Sequence, residues 1–162
     1  MTQEPKIRFM DITLRDGEQA VGVIFTRREK AQIAALLAEI GVDAVEAGFP
    51  ALGPEEKDCV RAVVEAGIKV HKNGNPTQPL EVYAFARARR EDVSDAAECG
   101  VHGVVISIST SDIHIERRFH RSRAWVLDQV AAAAEEARRH NLVFTVSAED
   151  ASLTDLAFLI EF

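Results

Sequence analysis

Cysteine is scarce: Cys59 and Cys99 are the only two in 162 residues, and neither lies in a CxxC pair. That argues against a disulfide framework and predicts a reducing, cytoplasmic setting. Long apolar runs are also missing. None reaches the roughly 20 residues that span a bilayer. Met1 to Lys6 lacks the apolar core of a signal peptide. Positive charge is in deficit, because 19 Lys and Arg face 26 Asp and Glu for a net −7. An acidic surface argues against general nucleic-acid binding. No low-complexity segment or linker divides the chain. What remains is 47% hydrophobic and 28% charged, a globular composition long enough to bury a core.

Short strand-like runs alternate with longer helical patterns. Ile7 to Thr13 is the first expected strand. Thr26-Arg27-Arg28-Glu29 reads as a capping box opening a helix. Ile33, Leu36, Leu37 and Ile40 recur at helical spacing, and Gly41 fits the stop. A second strand is expected over Ala44 to Phe49. A helix from Pro54 follows, with Val60, Val63 and Val64 inward and Gly67 as its end. Asn73-Gly74-Asn75-Pro76 signals a turn. Further strands are expected at Val82 to Ala86, Val104 to Ile108 and Leu142 to Val146. Helices are expected at Glu91 to Cys99, at Ser122 to His140 and from Thr154. In the helix from Ser122, Trp125, Val126, Val130 and Ala134 should face inward.

Strand–helix repetition implies parallel strands joined by helical crossovers, about five units in all. Two α/β architectures fit this pattern. One is a complete five-stranded doubly wound sheet. The other is part of an eight-unit barrel, which needs about 250 residues. In both, chemistry belongs at the carboxyl ends of the strands.

Polar residues collect at those ends. Strand one leads into Asp11, Thr13, Arg15, Asp16, Glu18 and Gln19. Strand two carries Glu46, and strand three runs into Arg87 and Arg89. Strand four ends in Ser107, Ser109, Thr110, Ser111 and Asp112. Strand five ends in Ser147, Glu149 and Asp150. Carboxylates suit a hard divalent cation, and arginines suit a substrate carboxylate. The plain alternative is that strand ends are polar because they meet water.

The most specific segment is Asp11-Ile12-Thr13-Leu14-Arg15-Asp16-Gly17-Glu18-Gln19. It resembles the signature of the metal-dependent TIM-barrel acyltransferases and lyases. That family includes homocitrate, isopropylmalate and citramalate synthases and 3-hydroxy-3-methylglutaryl-CoA lyase. Glu18-Gln19 points toward the acyl-CoA-condensing synthases. Ser111-Asp112-Ile113-His114, the stretch Arg121 to Leu127, and Ser147-Ala148-Glu149-Asp150-Ala151-Ser152 are similar to the same family, closest to nitrogen-fixation-type homocitrate synthases. The family usually has arginine where this chain has Leu153.

The resemblance implies a partial (β/α)8 barrel, with residues 1–162 as the N-terminal part of a pyruvate-carboxyltransferase-like catalytic domain. It implies a cytoplasmic enzyme condensing acetyl-CoA with 2-oxoglutarate at a divalent metal (Mg, Mn or Zn). The alternatives are an isopropylmalate or citramalate synthase using another 2-oxo acid, or a non-catalytic half-barrel subunit or truncated gene product. Asp16 would be a metal ligand. Arg15 would hold the 2-oxo acid and stabilise its carbonyl oxygen. Glu149 would work in proton transfer. Gln19 and Glu46 would position substrate or acetyl-CoA, and Ser147 would hydrogen-bond substrate. Arg87 is a candidate for a distal carboxylate, or else a solvated arginine. The family's other metal ligands form a His-x-His pair. None of the five histidines here forms one, and they read as loop or surface residues. An open arc predicts a homo-oligomer or a complementing chain.

Overall fold

Strand order decides between the two architectures. In the computed structural model, which describes residues 7–69 and 79–162, five strands form one sheet in the order β1-β2-β3-β4-β5. They are β1 (Met10–Asp11), β2 (Ala44–Glu46), β3 (Glu81–Arg87), β4 (Gly103–Ser109) and β5 (Val143–Glu149). Every neighbouring pair is parallel. A doubly wound sheet would reverse direction partway, giving an order such as 2-1-3-4-5. A strictly sequential parallel order is the arc of a barrel. The Asn73–Pro76 turn signal lies outside the described residues.

The crossovers are α1 (Arg27–Glu39), α2 (Pro54–Lys69), α3 (Arg90–Ala97) and α5 (Arg123–Arg139). A short turn α4 (Asp112–His114) leads into a π-helical turn over Ile115–Phe119. The chain's last helix is α6 (Leu156–Glu161), capped by the Asp155 carboxylate accepting from Phe158 N at 3.0 Å. Thr26 makes the expected capping box with Glu29. Gly41, at φ +95°, ends α1. There Val42 N donates to Leu37 O and Gly41 N to Ala38 O, closing the last turn.

Several local expectations change, among them the second strand, which ends at Glu46 and not at Phe49. The first ladder is shorter than Ile7–Thr13. Thr13 N donates to Asp11 Oδ1 at 2.9 Å, and Asp16 N turns back to Ile12 O at 2.7 Å. The Asp11 side chain therefore starts a turn and ends the strand. Helix α2 runs through Gly67 to Lys69. A Cβ at Gly67 would sit 3.1 Å from Val82 Cγ2, so the glycine lets the helix lie close on β3. The buried face of α1 is Lys30, Ala34 and Ala38. Leu36 and Ile40 are 60% and 76% exposed, while Ile33 and Leu37 pack at the core's margin. Small side chains take the inner ridge because α1 packs on α2. Val126 and Ala134 of α5 are buried, and Trp125 and Val130 pack against the core, as the spacing predicts.

The sheet has two unlike faces. Val82, Ala84 and Ala86 of β3 and Val104, Ile106 and Ile108 of β4 belong to the core under the helices. The alternate residues share the other face. Register puts Phe85 beside Val105 and Thr145, Arg87 beside Ser107 and Ser147, and Ser109 beside Glu149. Deeper on that face, a Cβ at Gly103 would lie 2.5 Å from Tyr83 Cε1. Glycine there admits the Tyr83 ring. No helix among the described residues is long and apolar enough to cross a membrane.

Candidate active site at the strand ends

The loop after β1 and the end of β2 meet through one arginine. Arg15 Nε donates to Glu46 Oε1 at 2.8 Å, and Nη2 donates to Oε2 at 3.2 Å. Its Nη1 donates to Asp16 Oδ1 at 2.7 Å. The guanidinium also lies over the Phe85 ring, 5.0 Å from the centroid. Glu46 is 2% exposed, whereas half of the Asp16 side chain meets solvent. Thus a buried carboxylate and an aromatic face hold Arg15, and Arg15 holds Asp16 at the mouth. Asp16 stands at the N-cap of the Gly17–Gln19 turn but makes no side-chain cap bond. Gln19 is exposed and lines a cavity of about 200 Å³ with Arg15, Phe49, Leu52 and Phe85.

Burial is the largest influence on Glu46 and pushes its carboxyl above the usual range. The Arg15 hydrogen bonds and charge oppose this, and the Asp16 charge adds to it. The folded state therefore keeps this proton at pH values where the unfolded chain has lost it. The stability Glu46 contributes is complete below the ordinary value of 4.5 and declines as pH rises through the raised one. Urea unfolding of wild type and Glu46→Gln across pH 4–8 should show the wild-type advantage falling as pH increases. A pH-independent difference would mean that Glu46 titrates as an ordinary glutamate.

A second group sits at the ends of β4 and β5. Ser109 Oγ donates to Glu149 Oε2 at 2.7 Å, and Arg118 Nη1 is 3.8 Å from Glu149 Oε1. Ser147 lies beside Ser107 in the ladder. Between the groups, Arg87 is neither free nor merely solvated. Its Nε and Nη2 grip both oxygens of buried Asp92 at 2.6 and 2.9 Å. The side chain remains half-exposed and lines a cavity of about 330 Å³ with Arg89, Ser107, Arg118, Trp125 and Glu149. Arg15 and Asp16 are thus joined to Glu46, whereas Glu149 belongs to the Ser109–Arg118 group.

Sequence reasoning missed Lys30, Asp92 and the supporting role of Phe85. Lys30 occupies the inner ridge with Ala34 and Ala38, and a lysine spaced with inward alanines was the available signal. Asp92 lies five residues after Arg87, in the first turn of α3. His114 is not simply a surface residue: its Nδ1 faces Asp150 Oδ2, which also accepts from Ser111 Oγ at 3.2 Å.

Asp16 offers the hard oxygen donor that a divalent cation takes. No three His, Cys, Asp or Glu side chains converge on a cation site among the described residues.

Known proteins resemble this chain over most of its length. The chain is 44% identical over 160 residues to a 2-isopropylmalate synthase of Caldanaerobacter subterraneus, covering 99% of this chain and 39% of that protein. It is 40% identical over 149 residues to a homocitrate synthase (AksA) of Methanopyrus kandleri, covering 92% of this chain and 35% of that protein. The chain thus spans under half the length of these relatives. A crystal structure of hydroxymethylglutaryl-CoA lyase from Pseudomonas aeruginosa superposes with a TM-score of 0.65 at 22% identity, over 87% of this chain and 45% of that one. This likeness supports the barrel arc. The HMGL-like family profile matches residues 6–162, and the chain belongs to that family.

Proposed function

We propose that this chain carries the 2-oxo-acid half of an acyl-CoA-condensing synthase of the homocitrate type. The observation that carries the reading is the Arg15–Glu46–Asp16 constellation at the strand ends. The relatives' chemistry and the motif order support it. In the condensation, a base takes a proton from the acetyl-CoA methyl. The carbanion attacks the keto carbon, and water then cleaves the thioester to release CoA. Arg15 faces the developing oxyanion with a preorganised positive charge. Glu149, held by Ser109, moves a proton. Gln19 and Ser147 bind the substrate's polar groups. A divalent metal, once bound, would polarise the keto group, with Asp16 as the ligand from this chain. The outer edges of β1 and β5, unpaired among the described residues, fit completion of the barrel by further strands.

The basic lining of the larger cavity, Arg87, Arg89 and Arg118, favours 2-oxoglutarate with its second carboxylate. Asp92's hold on Arg87 and the isopropylmalate synthase relative favour 2-oxoisovalerate as the second reading. Calorimetry with Mn²⁺ separates them. We expect 2-oxoglutarate to bind at least about tenfold more tightly than 2-oxoisovalerate or pyruvate, a difference of about 1.4 kcal/mol. We also expect Asp16→Ala to abolish Mn²⁺ binding and, with it, Mn²⁺-dependent binding of the acid. Tighter 2-oxoisovalerate binding selects the second reading. Binding of none of the three acids would mark a non-catalytic half-barrel.

A further inference from the structure

We infer that Lys30 is a positioning residue that locks the loop after β1 to the loop after β2, so that Arg15, Asp16 and Glu46 are ordered as one unit. Lys30 is 0% exposed. Its ammonium has three donors, and three groups receive them. Glu18 Oε2 lies at 2.7 Å, Glu56 Oε1 at 2.9 Å and the Ala47 carbonyl at 3.4 Å. Each acceptor belongs to a segment of the candidate site. Glu18 is two residues beyond Asp16 and also accepts from Phe25 N at 2.9 Å. Ala47 directly follows Glu46. Glu56 accepts from Phe49 N at 3.0 Å, and Phe49 lines the Arg15 cavity.

Position 48 is shaped to the same device. A Cβ on Gly48 would run into the Glu56 carboxylate and lie 3.1 Å from Lys30 Nζ. The loop after β2 therefore leaves out a side chain where the ion cluster passes. Two carboxylates share one ammonium in a site without water-facing surface on the lysine, so neither loop can withdraw without stranding charge. Ordering one loop orders the other.

This inference rests on the proposed function only in calling the loops substrate-bearing. The lock itself is tested without ligand. Amide hydrogen exchange would be followed by mass spectrometry on the chain and on Glu18→Gln, Glu56→Gln and Asp95→Asn. The last loosens the separate Lys57–Asp95 pair as a control. Glu18→Gln should speed exchange of residues 47–53 about tenfold, as expected for cooperative local opening. Glu56→Gln should do the same for residues 15–25. Melting temperatures, read beside the control, separate a global loss of stability from local loosening. The proposal is overturned if each variant loosens only its own loop, or if exchange rises uniformly across the chain. Failure of wild type to bind Mn²⁺ or a 2-oxo acid would instead count against the proposed function.

Discussion

Lys30→Met should lower the unfolding free energy by about 3–5 kcal/mol, the usual cost of breaking a buried ion pair from one side. The substitution keeps most of the volume and deletes the charge. Glu56, whose carboxylate contacts Lys30 at 2.9 and 3.2 Å, then keeps Phe49 N as its donor among the described residues. Glu18 likewise keeps Phe25 N. Two neighbouring carboxylates without a counter-charge repel each other and pay for lost hydration. The size of the loss does not measure the worth of the intact cluster, because desolvating the ammonium already offsets much of the attraction. Combining Lys30→Met with Glu18→Gln and Glu56→Gln should therefore recover part of the stability. Urea unfolding at neutral pH gives both values. A loss below about 1 kcal/mol for Lys30→Met would put the pair in the range of exposed salt bridges and contradict its burial.

The second large effect belongs to Arg15. Three of its five N–H donors are engaged, two by Glu46 and one by Asp16. Two remain for a substrate carboxylate or carbonyl oxygen at the mouth. Arg15→Gln should weaken 2-oxo acid binding by about 10- to 100-fold, in line with charge-assisted hydrogen bonds worth about 1.5–3 kcal/mol. Where acetyl-CoA-dependent CoA release is measurable, its rate should fall about 10²–10³-fold, as for loss of an oxyanion donor. Lysine should restore little, since it cannot grip both Glu46 oxygens in parallel. Calorimetry and a thiol-release assay read the two effects. Unchanged binding in Arg15→Gln would remove Arg15 from the site. The variant also strands Glu46, so the Arg15→Gln/Glu46→Gln pair separates lost substrate contact from lost stability. The double variant should regain stability without regaining binding.

Much of the fold was legible because much of it is local. A capping box is a contract between residues three apart, and Thr26–Glu29 made it in the structure as written. Glycine after Ile40 marked a helix end because a positive φ is cheap there. The rim residues were legible because strands of a parallel sheet point one way, so every strand exit lies at the same end. Within that rim, the family resemblance singles out Arg15, Asp16, Glu46 and Glu149.

The rest depended on contacts between distant segments. Five βα units are compatible with either a doubly wound sheet or a barrel, since each unit looks alike from within. Only the pairing of strand edges 20 to 40 residues apart chose the sequential order. Glu46, which buries the charge of Arg15, is 31 residues away from it, and Glu56 is 26 away from Lys30. No periodicity reports such pairs. The inner face of α1 went to Lys30, Ala34 and Ala38, ahead of Leu36 and Ile40, because α2 and the loops already occupied that side. The sequence by itself determined the elements, their caps and the set of polar residues at one rim, for these follow from hydrogen bonds and side-chain spacing within a few residues. The tertiary structure alone decided which strands pair and which charges are buried together, because burial and Coulomb attraction depend on separation in space, which sequence spacing does not specify.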